Sequence, residues 1–100
     1  MAKMIDGVIE SVRYKNGQIA AVRAYERRGA TFSDRLLLDR KTLLERLQQG
    51  KHFVSGSREE LMASTFKTDS PILLVTTDGH EYIATRENAA NDDLEGVAFF

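Results

Sequence analysis

The sequence predicts an α+β domain: a mainly antiparallel sheet of about five strands built from two hairpins, with one principal helix over about 40–49 packed on it. Three observations carry that reading. Asn16-Gly17 and Asp78-Gly79 each stand between runs of strand-forming residues. Between them, Leu43, Leu44 and Leu47 fall on one helical face and stop before Gly50. The chain has 100 residues, 42% of them hydrophobic and 29% charged, which fits one globular domain rather than a disordered segment.

The first hairpin is the strongest local signal. Both residues of a two-residue Asn-Gly loop take positive φ, and that twist suits flanking strands. The predicted strands are about 4–14 and 19–27. A loop at Asn16-Gly17 pairs Tyr14 with Ile19, Val12 with Ala21, Glu10 with Arg23 and Val8 with Tyr25 on one face. Ile9 with Ala24 and Ser11 with Val22 take the other face. This register sets Glu10 opposite Arg23 and an apolar pair beside the turn.

Arg27-Arg28-Gly29 ends the hairpin. Arg35 to Leu38 reads equally as a short buried strand or as a first helical turn, because the run is too short for its period to decide. The helix follows, with Asp39 as its N-cap and Gly50 just past its end. Lys51 to Ser55 reads as a strand with Phe53 on one face and His52 and Val54 on the other, broken at Gly56. Ser57 to Phe66 fits irregular or strand structure, although Ser57-Arg58-Glu59-Glu60 also resembles a helix start. Pro71 is expected to open a central strand, Ile72 to Val75, whose hairpin partner places Leu73 opposite Ala84 and Val75 opposite Tyr82. Glu87 to Glu95 reads as an acidic loop or loose tail, and Val97 to Phe100 turns apolar again.

Composition narrows the functional classes. There is no cysteine, hence no disulfide framework, no thiolate nucleophile and no cysteine metal site. The opening residues reach Asp6 before any apolar stretch forms, so no secretory leader is expected, and no apolar run is long enough to span a bilayer. The expected location is cytoplasmic. The net charge of −1 conceals an asymmetry: residues 1–58 carry twelve Lys/Arg against six Asp/Glu, and residues 59–100 carry two against nine. The simplest reading is that the two halves face each other and cancel; the other is a basic half that binds a polyanion.

That second reading selects Arg27, Arg28, Arg35, Arg40 and Lys41, together with Arg23 and Arg46, as a nucleic-acid or phosphate site. Arg40 and Lys41 lie in the first helical turn, where the dipole disfavours cations unless an anion is nearby. Other constellations point to less. His80 and Glu81 in Asp78-Gly79-His80-Glu81 are neighbours on a strand and face opposite ways, so they are a poor metal pair. Asn91 to Gly96 is rich in oxygen ligands but lacks the spacing of a calcium loop. Ser55-Gly56-Ser57 has no nucleophile-elbow context. No phosphate-binding or dinucleotide loop is present, and no cofactor or metal is expected. Val97, Phe99 and Phe100 are the candidate protein interface, either as a last strand on their own sheet or as an anchor in a partner. The sequence points first to a non-catalytic module acting through protein contacts, with self-association expected. A nucleic-acid- or phosphate-binding module is the alternative, and an enzyme with a dispersed site comes third.

Overall fold

The computed structural model describes residues 5–29, 31–58, 66–87, 89 and 91–100. It is α+β, sheet-rich and with one described helix, but the main sheet is mixed and has seven strands, where the sequence suggested about five in a mainly antiparallel arrangement.

The first hairpin forms as expected, from β1 (Gly7–Lys15) and β2 (Gln18–Arg28). Asn16 and Gly17 take φ of 54° and 78°, and Tyr14 pairs with Ile19. Val8 with Tyr25 and Ile9 with Ala24 also match the predicted register. Between these points the ladder slips twice. One step accommodates Glu10 on β1, so that Ser11 faces Arg23 and Val12 faces Val22. The second accommodates Ala20 on β2 and restores the original register before the turn. Each bulge inverts the inside-outside alternation beyond it. Ile9, Val12 and Tyr14 on β1 therefore share the core side with Ile19, Val22 and Ala24 on β2. The alternation read from sequence put Ile9, Val22 and Ala24 on the face opposite to Val12, Tyr14 and Ile19; the two bulges correct it.

Strands join this hairpin at both sides. On the β2 side, β3 (Thr31–Phe32) pairs with Arg27 and Arg28, and β4 (Leu36–Asp39) pairs antiparallel with Ala21 to Ala24. The ambiguous leucine run is thus a strand. On the β1 side, β5 (Phe53–Arg58) runs parallel to Gly7–Ile9. Gly7 matters there, because a Cβ would collide with the Phe53 ring lying over it. β5 continues through Gly56, correcting the expected break, and pairs with β6 (Phe66–Pro71). Pro71 closes β6 rather than opening the next strand. Residues 59–65, where a helix start competed with a strand, lie outside the described residues, while Ser57 and Arg58 belong to β5. The parallel β1–β5 pairing spans a long crossover through β2, β4 and the helix, and no local motif announces it.

Helix α1 (Arg40–Gln48) starts where the Asp39 side chain accepts the Thr42 N–H at 2.8 Å, and Gly50 follows it with φ of 84°. Leu43 is fully buried, and Leu44 and Leu47 pack around it. The second hairpin, β7 (Leu73–Thr77) and β8 (His80–Ala84), has the predicted register. It forms its own two-stranded sheet, which corrects the reading of β7 as a central strand. The helix, Ile72, Ile83 and Leu94 cover one face of the main sheet in a common core with Ile9, Val12, Val22 and Phe53. On the opposite face, Val8, Tyr25 and Val54 gather Ile5, Phe32 and Phe66 into a smaller cluster at one end. No helix among the described residues is long and apolar enough to cross a membrane.

Candidate functional site: a buried ion pair and the C-terminal edge

The acidic segment read as a loop or loose tail contributes the most buried charge among the described residues. The Asp92 side chain has 0% exposure, and Arg40 only 23%. Arg40 Nε donates to Asp92 Oδ2 at 2.8 Å and Nη2 donates to Oδ1 at 3.2 Å, a bidentate pair. The Ile19 and Ile83 amides donate to the same carboxylate at 2.9 and 3.0 Å. Arg40 Nη2 also reaches the Glu81 carbonyl at 2.8 Å. One carboxylate thereby ties together the first hairpin, the start of α1 and the second hairpin. Burial alone would raise the Asp92 pKa, but the Arg40 hydrogen bonds and the Ile19 and Ile83 amides outweigh it, holding the carboxyl below the usual carboxylate range. The bond to Asp92 in turn raises the Arg40 pKa. This explains the cation in the first helical turn: the anion it calls for is supplied from within the chain.

The basic residues selected from sequence are dispersed by the fold. Arg40 points inward to Asp92. Arg35 pairs with Glu10 at 3.1 Å, and Arg46 with Glu26 at 3.4 Å. Arg27 donates to the Ile5 carbonyl at 2.6 Å and lies over the Phe32 ring. Arg28 and Lys41 are exposed. Arg23 lies over the Phe100 ring at 4.3 Å, beside Arg13 at 4.7 Å. Arg13 was not among the residues selected, since nothing local links it to Arg23.

The C-terminal residues return to their own sheet. β9 (Ala98–Phe99) pairs parallel with Ser11 and Val12, and the Phe100 amide donates to the Val12 carbonyl at 3.2 Å. Arg13 Nε donates to the Phe100 main-chain oxygen at 3.1 Å. Val97 packs against the main core. Phe99 meets Tyr14 edge to face at a centroid distance of 5.7 Å yet stays 76% exposed. A cavity of about 300 Å³ opens between Tyr14, Arg13, Phe99 and Phe100.

The remaining constellations are occupied otherwise. His80 is exposed near the Tyr82 ring, and Glu81 accepts from Gln48 Nε2. Ser55 is buried, its hydroxyl bonded to the Ser70 main chain. Asp93 and Glu95 both pair with Arg86. A cavity of about 420 Å³ lies where β5 and β9 diverge along β1 and is lined by Glu10, Ser57, Lys67, Asp69 and Val97 among others. Comparison with protein-family models, with curated proteins and with solved structures returned no match for this chain.

Proposed function

We propose that this protein works by binding another protein chain along its C-terminal edge, and that the first such partner is a second copy of itself. The observation that carries the reading is Phe99, 76% exposed on a strand of two residues that pairs only with β1 among the described residues. The other edge of β9 has no strand partner among the described residues, and such an edge is a template for further pairing. Identical strands pair antiparallel about a twofold axis without any further adaptation, and twofold dimers are the commonest assemblies. In that arrangement Phe99 is covered by the partner, and its ring supplies an anchor of about 150–250 Å².

Light scattering on the natural chain and on Phe99→Lys tests the reading. The natural chain is expected to be dimeric at micromolar concentration and the variant monomeric, with unchanged urea unfolding because the ring is mostly solvated already. A natural chain that stays monomeric at high micromolar concentration overturns it. So does a variant that dimerises as well as the natural chain.

A further inference from the structure

We propose a second site, which does not rest on that reading: a site for a phosphate-class oxyanion on the face of the main sheet opposite the helix, formed by Arg13, Arg23 and Ser11 beside Phe100. The helix and the second hairpin cover the opposite face. On this face Arg23 stands directly across from Ser11, and Arg13 follows Ser11 by two residues on the same strand. Ala98 borders Ser11 on the other side, and Leu37, 67% exposed, borders Arg23.

Three features separate this cluster from the other basic residues. First, Arg35, Arg40, Arg46 and Arg86 each hold a side-chain carboxylate within 3.4 Å, whereas Arg13 and Arg23 hold none among the described residues. Second, both guanidinium groups lie over one ring, at 4.7 and 4.3 Å from its centroid. Stacking uses the face of a guanidinium and leaves its edge donors available for a planar or tetrahedral oxyanion. The Arg23 guanidinium makes no hydrogen bond to the described residues, and the Arg13 guanidinium spends only Nε, on the Phe100 oxygen. Third, Ser11 is buried, at 7% exposure for the whole residue, and its hydroxyl has no hydrogen-bond partner among the described residues. A buried hydroxyl without a partner is unfavourable, and an oxyanion oxygen satisfies it. Phosphate accepts several charge-assisted bonds at once, which suits two guanidinium forks and a hydroxyl.

Amide and arginine Nε–Hε NMR shifts during titration with inorganic phosphate and with pyrophosphate, at constant ionic strength set by chloride, test the site. The expected result is a saturable shift centred on Ser11, Arg13 and Arg23. Arg23→Gln leaves the Arg13–Phe100 bond in place, so its spectrum reports whether the fold is intact. It is expected to weaken binding at least about tenfold, the loss of a charged hydrogen bond. Ser11→Ala is expected to weaken it less. A parallel titration with a mixed-sequence single-stranded oligonucleotide identifies the source of the phosphate. Tighter binding than inorganic phosphate, falling steeply with salt, assigns it to a nucleic-acid backbone; equal or weaker binding assigns it to a small molecule. Linear, unsaturated shifts spread over all basic residues overturn the proposal, and so does a saturable response centred on Arg28 and Lys41 or one unchanged in Arg23→Gln.

Discussion

Replacing Asp92 with alanine should be among the most damaging single changes to the fold. The substitution removes a carboxylate with no exposed side-chain surface and leaves four hydrogen-bond donations without an acceptor. Breaking a buried, hydrogen-bonded ion pair by deleting one partner costs about 3–5 kcal/mol, because the other charge stays behind. Orphaned buried amides cost about 1–3 kcal/mol each, although these losses overlap with the first and do not simply add. Arg40 keeps partial access to water, which moderates the total. The expected loss is therefore about 3–5 kcal/mol, a large share of the roughly 5–15 kcal/mol that stabilises a small domain. Urea unfolding, followed by circular dichroism, measures it as a fall in midpoint at constant m-value. Arg40→Met supplies the second arm: with the cation gone, the further change at Asp92 should cost less, by a coupling of about 0.5–3 kcal/mol. A loss within about 0.5 kcal/mol, the range of ordinary surface substitutions, would refute the view that this pair joins the two hairpins.

Other outcomes follow from the same structure. Asp92 carries a depressed pKa when folded, so the unfolded chain takes up that proton first; its contribution is complete above the unfolded value of about 3.9 and is lost as pH falls toward the folded value. Acid unfolding of Asp92→Asn, measured against the natural chain, should lack that part of the pH dependence. Leu43→Ala removes a fully buried side chain from the common core and should cost about 2–5 kcal/mol in urea, with Leu47→Ala costing less because Leu47 is half-buried. Gly56→Ala places a Cβ against the Lys67 main-chain oxygen, so thermal unfolding should show a loss of about 1–3 kcal/mol from the displaced β5–β6 pairing.

Features carried by neighbouring residues were legible in the sequence. The Asn16-Gly17 and Asp78-Gly79 turns, the Asp39 cap, the Leu43 face and the ends of both hairpin registers depend on interactions within a few residues, and each is found. The parallel contacts of β1 with β5 and β9 depend on packing across long stretches of chain, which no local pattern encodes. Asp92 was hidden for the same reason. It lies among Asn91, Asp93 and Glu95, and an acid in such a run resembles its solvated neighbours until Ile19, Arg40 and Ile83 are brought around it. The one hint was Arg40 itself, a cation in a helical turn that favours an anion. That signal called for a negative partner without saying whether it would come from a ligand or from the chain.

The two bulges of the first hairpin connect the fold to the proposed oxyanion site. An unbroken ladder would set Glu10 opposite Arg23 and so provide Arg23 with a carboxylate across the strand. The bulge at Glu10 breaks that match: Ser11 takes the place opposite Arg23. Glu10 is turned instead toward the Tyr25 hydroxyl, at 3.0 Å, and toward Arg35. Arg23 is left with a serine across from it and an aromatic ring above it. A single bulge would invert every side chain as far as the turn. The compensating bulge at Ala20 instead returns Tyr14 and Ile19 to the pairing that the Asn-Gly loop requires. The register change is thus confined to the stretch holding Ser11, Arg13 and Arg23, the residues that carry the proposed site. Local irregularity in a ladder is a recognised means of re-aiming side chains near binding sites. Here it separates a charge pair that simple alternation would have joined.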